Sequence, residues 1–170
     1  MAYDPIKITL WGMLVGNIEN LGILAAEQGG EAIARTLEGK DVIEKLANLD
    51  RRDDNFEFTD WPGYKLVVLK GCPFGMLYDG IPKWGEKVEK LIESYNKQKN
   101  GGGAIHPLCL VHKGVRKGVD KNIVSIGCRG KKSNRIEISE GALEKLGMSR
   151  EEAEKFLEGK ACLYAVKVDE

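Results

Sequence analysis

The chain of 170 residues has no net charge, because 26 Lys and Arg balance 26 Asp and Glu. No whole-chain field therefore draws it toward nucleic acid or a charged membrane surface. Long apolar runs are missing as well. The opening stretch MAYDPIKITLWGMLVGNIENLG is interrupted by Asp4 and Glu19 and has no basic segment ahead of its apolar residues, which argues against a signal peptide and against a membrane span. There is no internal repeat, no heptad pattern and no low-complexity segment, so solenoid and coiled-coil architectures fall away. The four cysteines include no closely spaced CxxC pair; any metal site would have to be assembled from distant elements.

What is present describes an ordinary soluble globular domain. Apolar residues make up 42% and charged residues 31% of the chain, and a chain of this length suits one domain that buries roughly 68–70% of its unfolded surface. A cytoplasmic location is expected, with the cysteines as reduced thiols, buried or metal-bound, rather than a disulfide framework. Charge is unevenly spread. Residues 1–60 hold twelve acids and six bases, whereas 113–135 hold eight bases against the single acid Asp120. That basic stretch reads either as a solvated face or as the rim of a pocket for a carboxylate, phosphate or coenzyme tail. It contains no aromatic residue, so it lacks the stacking platforms that single-stranded nucleic acid requires.

Hydrophobic periodicity sets out the elements. Leu10, Leu14, Ile18, Leu21 and Ala25 predict a long amphipathic helix over about 9–37, with Gly29-Gly30 as a break or kink. A short helix over 41–49 and the charged turn DRRDDN follow. The sheet is expected to begin with YKLVVLKGC, residues 64–72, after the turn signal Pro62-Gly63, and to end that strand at Cys72-Pro73. Trp84, Val88, Leu91, Ile92 and Tyr95 mark a helical stripe, and residues 100–103 a flexible glycine loop. Pro107 opens a helix carrying Leu108, Val111, His112, Val115 and Val119. NIVSIGC and NRIEIS alternate as neighbouring strands. Ser139 caps a short helix, Ser149–Glu152 forms a capping box, and ACLYAVKV is the last strand. The fold class is α+β, with a largely antiparallel sheet of about four to five strands and helices packed on it.

Both histidines and one cysteine fall within seven positions, His106 to His112. Cys109 and His112 lie one turn apart on one helical face. With His106 at the helix start and Cys72 and Cys128 near strand ends, a mixed site of Cys72, His106, Cys109, His112 and Cys128 suits zinc or an iron–sulfur cluster. Other readings stand beside it. Cys109 near its helix N-terminus is a candidate nucleophile with His106 or His112 as base. Cys128 and Cys162 on strands read as small core hydrophobes, with Cys162 outside any site, and His112 as a histidine bonded to a carbonyl.

HPLCLVHKGVRKGV resembles the proline, cysteine and paired-glycine stretch of vinyl-4-reductase-like (hydrocarbon-binding) domains, and GKACLYAVKV resembles their ending. The likeness spans about residues 64–168. GCPFGMLYDG is similar to the Cys-Pro-aromatic element of aminothiazoline-carboxylate-hydrolase-like proteins. Both resemblances imply a small α+β fold with a pocket for a small organic ligand, and fall on Cys72, Cys109 and Cys128 with Gly114 and Gly118 as packing positions. VSIGCRGKK departs from the first pattern, having Ser125 where an acid precedes the later cysteine, and the helical insert before GKACLY is longer.

Two functions are therefore expected. One is a ligand-binding or sensing domain, its pocket walled by Trp11, Phe74, Trp84 and Leu108, with Lys113 or Arg116 attracting an anionic end. Each of those aromatics reads equally well as plain core. The other is a metal- or cysteine-dependent enzyme, hydrolytic or redox, acting on a small anionic substrate. A small organic ligand is the expected partner, with a homodimer left open and neither nucleic acid nor a membrane span expected.

Overall fold

The computed structural model describes residues 26–50, 56–72, 86–98, 102–105, 107–130 and 135–168. Five strands form one antiparallel sheet in the order β1-β2-β5-β3-β4, where β1 is Phe56–Trp61, β2 Tyr64–Leu69, β3 Val124–Arg129, β4 Ile136–Ile138 and β5 Cys162–Lys167. The helices are α1 (26–34), α2 Val42–Asp50, α3 Glu86–Asn96, α4 Pro107–Val119, α5 Glu140–Leu146 and α6 Arg150–Phe156. The class is α+β, as the alternation of apolar runs predicts.

Both sheet faces are covered. In β2 the consecutive residues Leu66, Val67, Val68 and Leu69 are all buried, and in β5 so are Cys162 through Val166. Because neighbouring side chains on a strand point to opposite faces, such runs require cover on two sides. Val67, Leu69, Cys162, Tyr164 and Val166 face a core filled from α1, α2, α3 and α4 by Ala26, Leu46, Ile92, Leu110 and Val111. Leu66, Val68, Leu163 and Ala165 face the other core, with Leu143, Leu146, Ala153 and Leu157 from α5, α6 and their flanks. Each fully buried Leu or Val contributes about 1.5–3 kcal/mol.

A β-bulge divides β3 between these cores. Val124 faces Ala165 and Cys128 faces Cys162, but the register shifts between Ser125 and Gly127. Val124 and Ile126 belong to the α5/α6 core, whereas Cys128 belongs to the opposite one. Strict alternation would have put all three on one face. The extra residue turns Cys128 over. Gly127 makes this feasible, since a Cβ there would lie 2.8 Å from the Glu137 carbonyl oxygen and 3.2 Å from Leu157 Cδ1.

Several expectations are corrected. β1 precedes the expected start of the sheet, pairing with β2 across the two-residue turn Pro62-Gly63. Gly63 has φ of +72°, suited to the second central position of a type II turn after proline. β2 stops at Leu69, so Cys72 lies beyond the strand, half-buried against the core. Gly30 does not break α1, which stays helical through residue 34. It serves instead as a contact: Cβ atoms at Gly30, Gly114 and Gly118 would lie 2.1 Å from the Val111 oxygen, 2.0 Å from the Glu27 oxygen and 2.7 Å from Ala34 Cβ. Helices α1 and α4 therefore touch backbone to backbone. Gly102 to Ile105 are buried rather than a loose loop, because the Asn96 amide clamps Ala104, donating to its oxygen at 2.8 Å and accepting from its nitrogen at 3.2 Å. Ser139 caps α5, and Ser149 with Glu152 forms the expected capping box. The expected helical portion before residue 26 lies outside the described residues. None of the helices among the described residues is long and apolar enough to cross a membrane.

Candidate functional site

Helix α4 carries the polar chemistry of the α1–α4 core. Cys109, His112 and Arg116 follow at three- and four-residue steps, so they form one stripe, and all three are buried. That stripe faces Cys128 and Cys162 on β3 and β5. The two sulfurs are 3.3 Å apart, and Cys128 also hydrogen-bonds Cys109. All four cysteines of the chain are free thiols.

Arg116 is 1% exposed yet bears a charge it cannot shed. Its Nε donates to the His112 carbonyl at 3.3 Å, one terminal nitrogen lies 3.3 Å from His112 Nδ1 and 3.5 Å from Cys162 Sγ, and the guanidinium stacks over the Tyr164 ring at 4.6 Å. Its other terminal nitrogen, Nη1, has no hydrogen-bond partner among the described residues. No described carboxylate pairs with it. A buried cation needs a counter-charge, and among the described residues the Cys162 sulfur, 3.5 Å away, is a group able to supply one. Burial alone would lower the Arg116 pKa, but Cys162, Cys128 and Tyr164 reverse that and raise it.

The two facing thiols are driven apart. Cys162 is held well below the ordinary thiol range by the hydrogen bond from Cys128, against burial and with help from Arg116 and His112. Cys128 is held well above it by its hydrogen bonds to Cys109 and Cys162 and by burial. Cys162 is thereby the more acidic sulfur of the pair and Cys128 the less acidic.

The next face of α4 borders a cleft of about 270 Å³. Lys113, Lys117, Lys121 and Lys145 line it with Tyr95 and Ser125, and Glu27 is the acid among its described lining residues. Lys113 Nζ donates to the Gly102 carbonyl at 2.5 Å and sits 4.8 Å from the Tyr95 ring centre. Burial and the Arg116 charge lower its pKa to about 8. The Tyr95 hydroxyl donates to Glu27 at 2.9 Å; its pKa is raised by burial and by that carboxylate.

The structure brings together Cys109, His112 and Cys128 of the sequence-derived site, with Cys72 at the edge of the same core. His106, Trp11, Phe74 and Trp84 lie outside the described residues, as does the Leu108 side chain. Among the described residues no group of three or more His, Cys, Asp or Glu is placed to hold one metal ion. Lys113 lines the cleft, whereas Arg116 points into the core toward Cys162. Cys162, set aside in the sequence reading, is central. One signal for Arg116 was available: it stands four residues after His112 and seven after Cys109, on their stripe. For Cys162 the signal is the strand register, which no local pattern contains. Comparisons with known proteins give no match, whether to a family model, a curated protein or a solved structure.

Proposed function

We propose that this chain is a cytoplasmic ligand-binding or sensing domain that takes a small organic anion in the lysine-lined cleft. The observation that carries the reading is the lining itself, four lysines, of which Lys117 is paired with Glu31 at 2.9 Å, against the one lining glutamate around about 270 Å³. That charge excess favours a carboxylate or phosphate end, and the volume suits a small molecule rather than a polymer. Ile123, Val124 and Ala142 supply apolar wall for its body. Four free thiols fit a reducing compartment. The resemblance to hydrocarbon-binding domains implies a small organic ligand, without specifying its charge.

Titration calorimetry at pH 7 against a panel of small mono- and dicarboxylates and phosphate monoesters tests this, with Lys113→Met and Lys145→Met beside the parent chain. Binding that weakens with added salt and drops about tenfold in either variant is expected, since a charge-assisted bond contributes about 1.5 kcal/mol or more. Absence of binding across the panel, or affinities untouched by both variants, would refute the assignment.

A further inference from the structure

Cys128 and Cys162 meet in a particular way. They are directly opposite in the β3–β5 register, and the Arg129 N–H donates to the Ala161 carbonyl at 2.9 Å. A bond between the residues flanking the facing pair identifies it as a non-hydrogen-bonded pair, whose Cα atoms lie about 4.5 Å apart with side chains drawn together. That separation is at the short end of the roughly 4.4–6.8 Å that disulfides span. The bulge at Ser125 and Gly127 produces the juxtaposition by turning Cys128 onto this face. Arg116 lies 3.5 Å from Cys162 Sγ and Cys128 Sγ lies 3.3 Å from it, so one sulfur has both a cation and a second thiol beside it.

We propose that Cys128 and Cys162 are a redox-active dithiol, which a hydroperoxide converts into a reversible cross-strand disulfide between β3 and β5. The Cys162 thiolate attacks the distal peroxide oxygen; the O–O bond breaks, Cys162 becomes a sulfenic acid, and the alkoxide or hydroxide leaves and takes a proton from water. The Cys128 sulfur then attacks the sulfenic sulfur. An S–S bond forms, the S–O bond breaks, and the hydroxyl leaves with the Cys128 proton as water. Two electrons pass from the thiols to the peroxide. Arg116 stabilises the attacking thiolate and the His112 ring borders the same sulfur. Cys162 and Cys128 are 5% and 8% exposed, so the oxidant that reaches them must be as small as hydrogen peroxide. This activity is independent of the anion-binding reading.

The test treats the folded full chain with hydrogen peroxide at pH 7, blocks remaining thiols with N-ethylmaleimide in denaturant, and reads intact mass and linked peptides. The expected result is loss of two of the four thiols, one linked peptide pair containing Cys128 and Cys162, and full recovery with dithiothreitol. Cys109→Ser should keep that link. Cys128→Ser, checked for folding by circular dichroism, should lose it and leave a sulfenic acid on Cys162 that dimedone traps. The wild-type chain is also oxidised in urea, so the proposal does not depend on a variant that folds. Four intact thiols under native conditions with oxidation confined to urea, a link through Cys72, or a product that dithiothreitol does not reverse would each overturn the assignment.

Discussion

Removing the Cys162 sulfur should be far more costly than its size suggests. A cysteine truncated to alanine in a well-packed core gives up one methylene-sized group, about 1 kcal/mol. Here the same change removes the group that offsets the Arg116 charge. A buried thiolate left without a cation can take up a proton and become neutral, but a guanidinium cannot release one. Cys162→Ala therefore strands a cation that is 1% exposed and has no described carboxylate partner, and breaking such a pair costs about 3–5 kcal/mol. Replacing Arg116 as well removes the stranded charge, so Arg116→Met combined with Cys162→Ala should recover at least about 2 kcal/mol of that loss. Urea unfolding of the parent, both single variants and the double variant gives the coupling energy directly. The pH dependence has a definite sign. The Cys162 pKa is lowered in the fold from its ordinary 9.0, so its contribution is complete above that value and fades as pH falls through the folded value. The cost of Cys162→Ala should thus grow with pH up to about 9. A cost near 1 kcal/mol at every pH, with the two single changes additive within about 0.5 kcal/mol, would mean that Arg116 has another counter-charge and that the thiolate argument is wrong.

Two further outcomes follow from geometry already described. Gly127→Ala forces a Cβ to within 2.8 Å of the Glu137 carbonyl oxygen; it should destabilise the chain by about 1–3 kcal/mol and lower the yield of the Cys128–Cys162 disulfide, whereas an unchanged yield would show that the bulge does not set their approach. Lys113 titrates at about 8 against an ordinary 10.5, so anion affinity should fall as pH rises through about 8 and Lys113→Met should flatten that step in calorimetry; the unfolded chain binds more protons than the folded one between those values, so this group makes stability rise with pH there, while the raised pKa of Tyr95 acts in the opposite sense at higher pH.

The α+β class was readable because β2, β5, α4 and the capped pair α5 and α6 each carry a strong local pattern. β1 was not. Its residues Phe58, Thr59 and Asp60 are exposed one after another, so FEFTDW lacks the alternation that identifies a half-buried strand; it is held by pairing with β2 and by Trp61 Nε1 donating to the Leu146 carbonyl at 2.9 Å. The glycine loop misled for a related reason. Gly102 and Gly103, with φ of +90° and +70°, look like freedom in the sequence, but the Asn96 clamp and the Lys113 bond use that permissiveness to bury the backbone. The pairing of Cys128 with Cys162 was hidden by two non-local facts, a bulge that reverses the face of one and a register that depends on α5 and α6 intervening between β4 and β5. Alternation in NIVSIGC points Cys128 the wrong way.

Helix α4 explains why thiols and cleft occur side by side. Taken at 100° per residue, Cys109, His112 and Arg116 look toward the sheet, Lys113 and Lys117 toward the cleft, and Gly114 and Gly118 toward α1. The glycine face lets α1 approach until Glu27 backbone atoms would touch a Cβ at Gly114, and that approach sets the Glu27 side chain against the Tyr95 hydroxyl. Tyr95 then lies under the Lys113 ammonium, and Lys113 feels the Arg116 charge from the neighbouring face. A side chain added at Gly114 would lift α1, carry Glu27 off Tyr95 and open the cleft, without touching a lysine or a sulfur. The small residues that the sequence presents as gaps in an amphipathic pattern are what hold the lysine-lined cleft and the paired cysteines on adjacent faces of one helix.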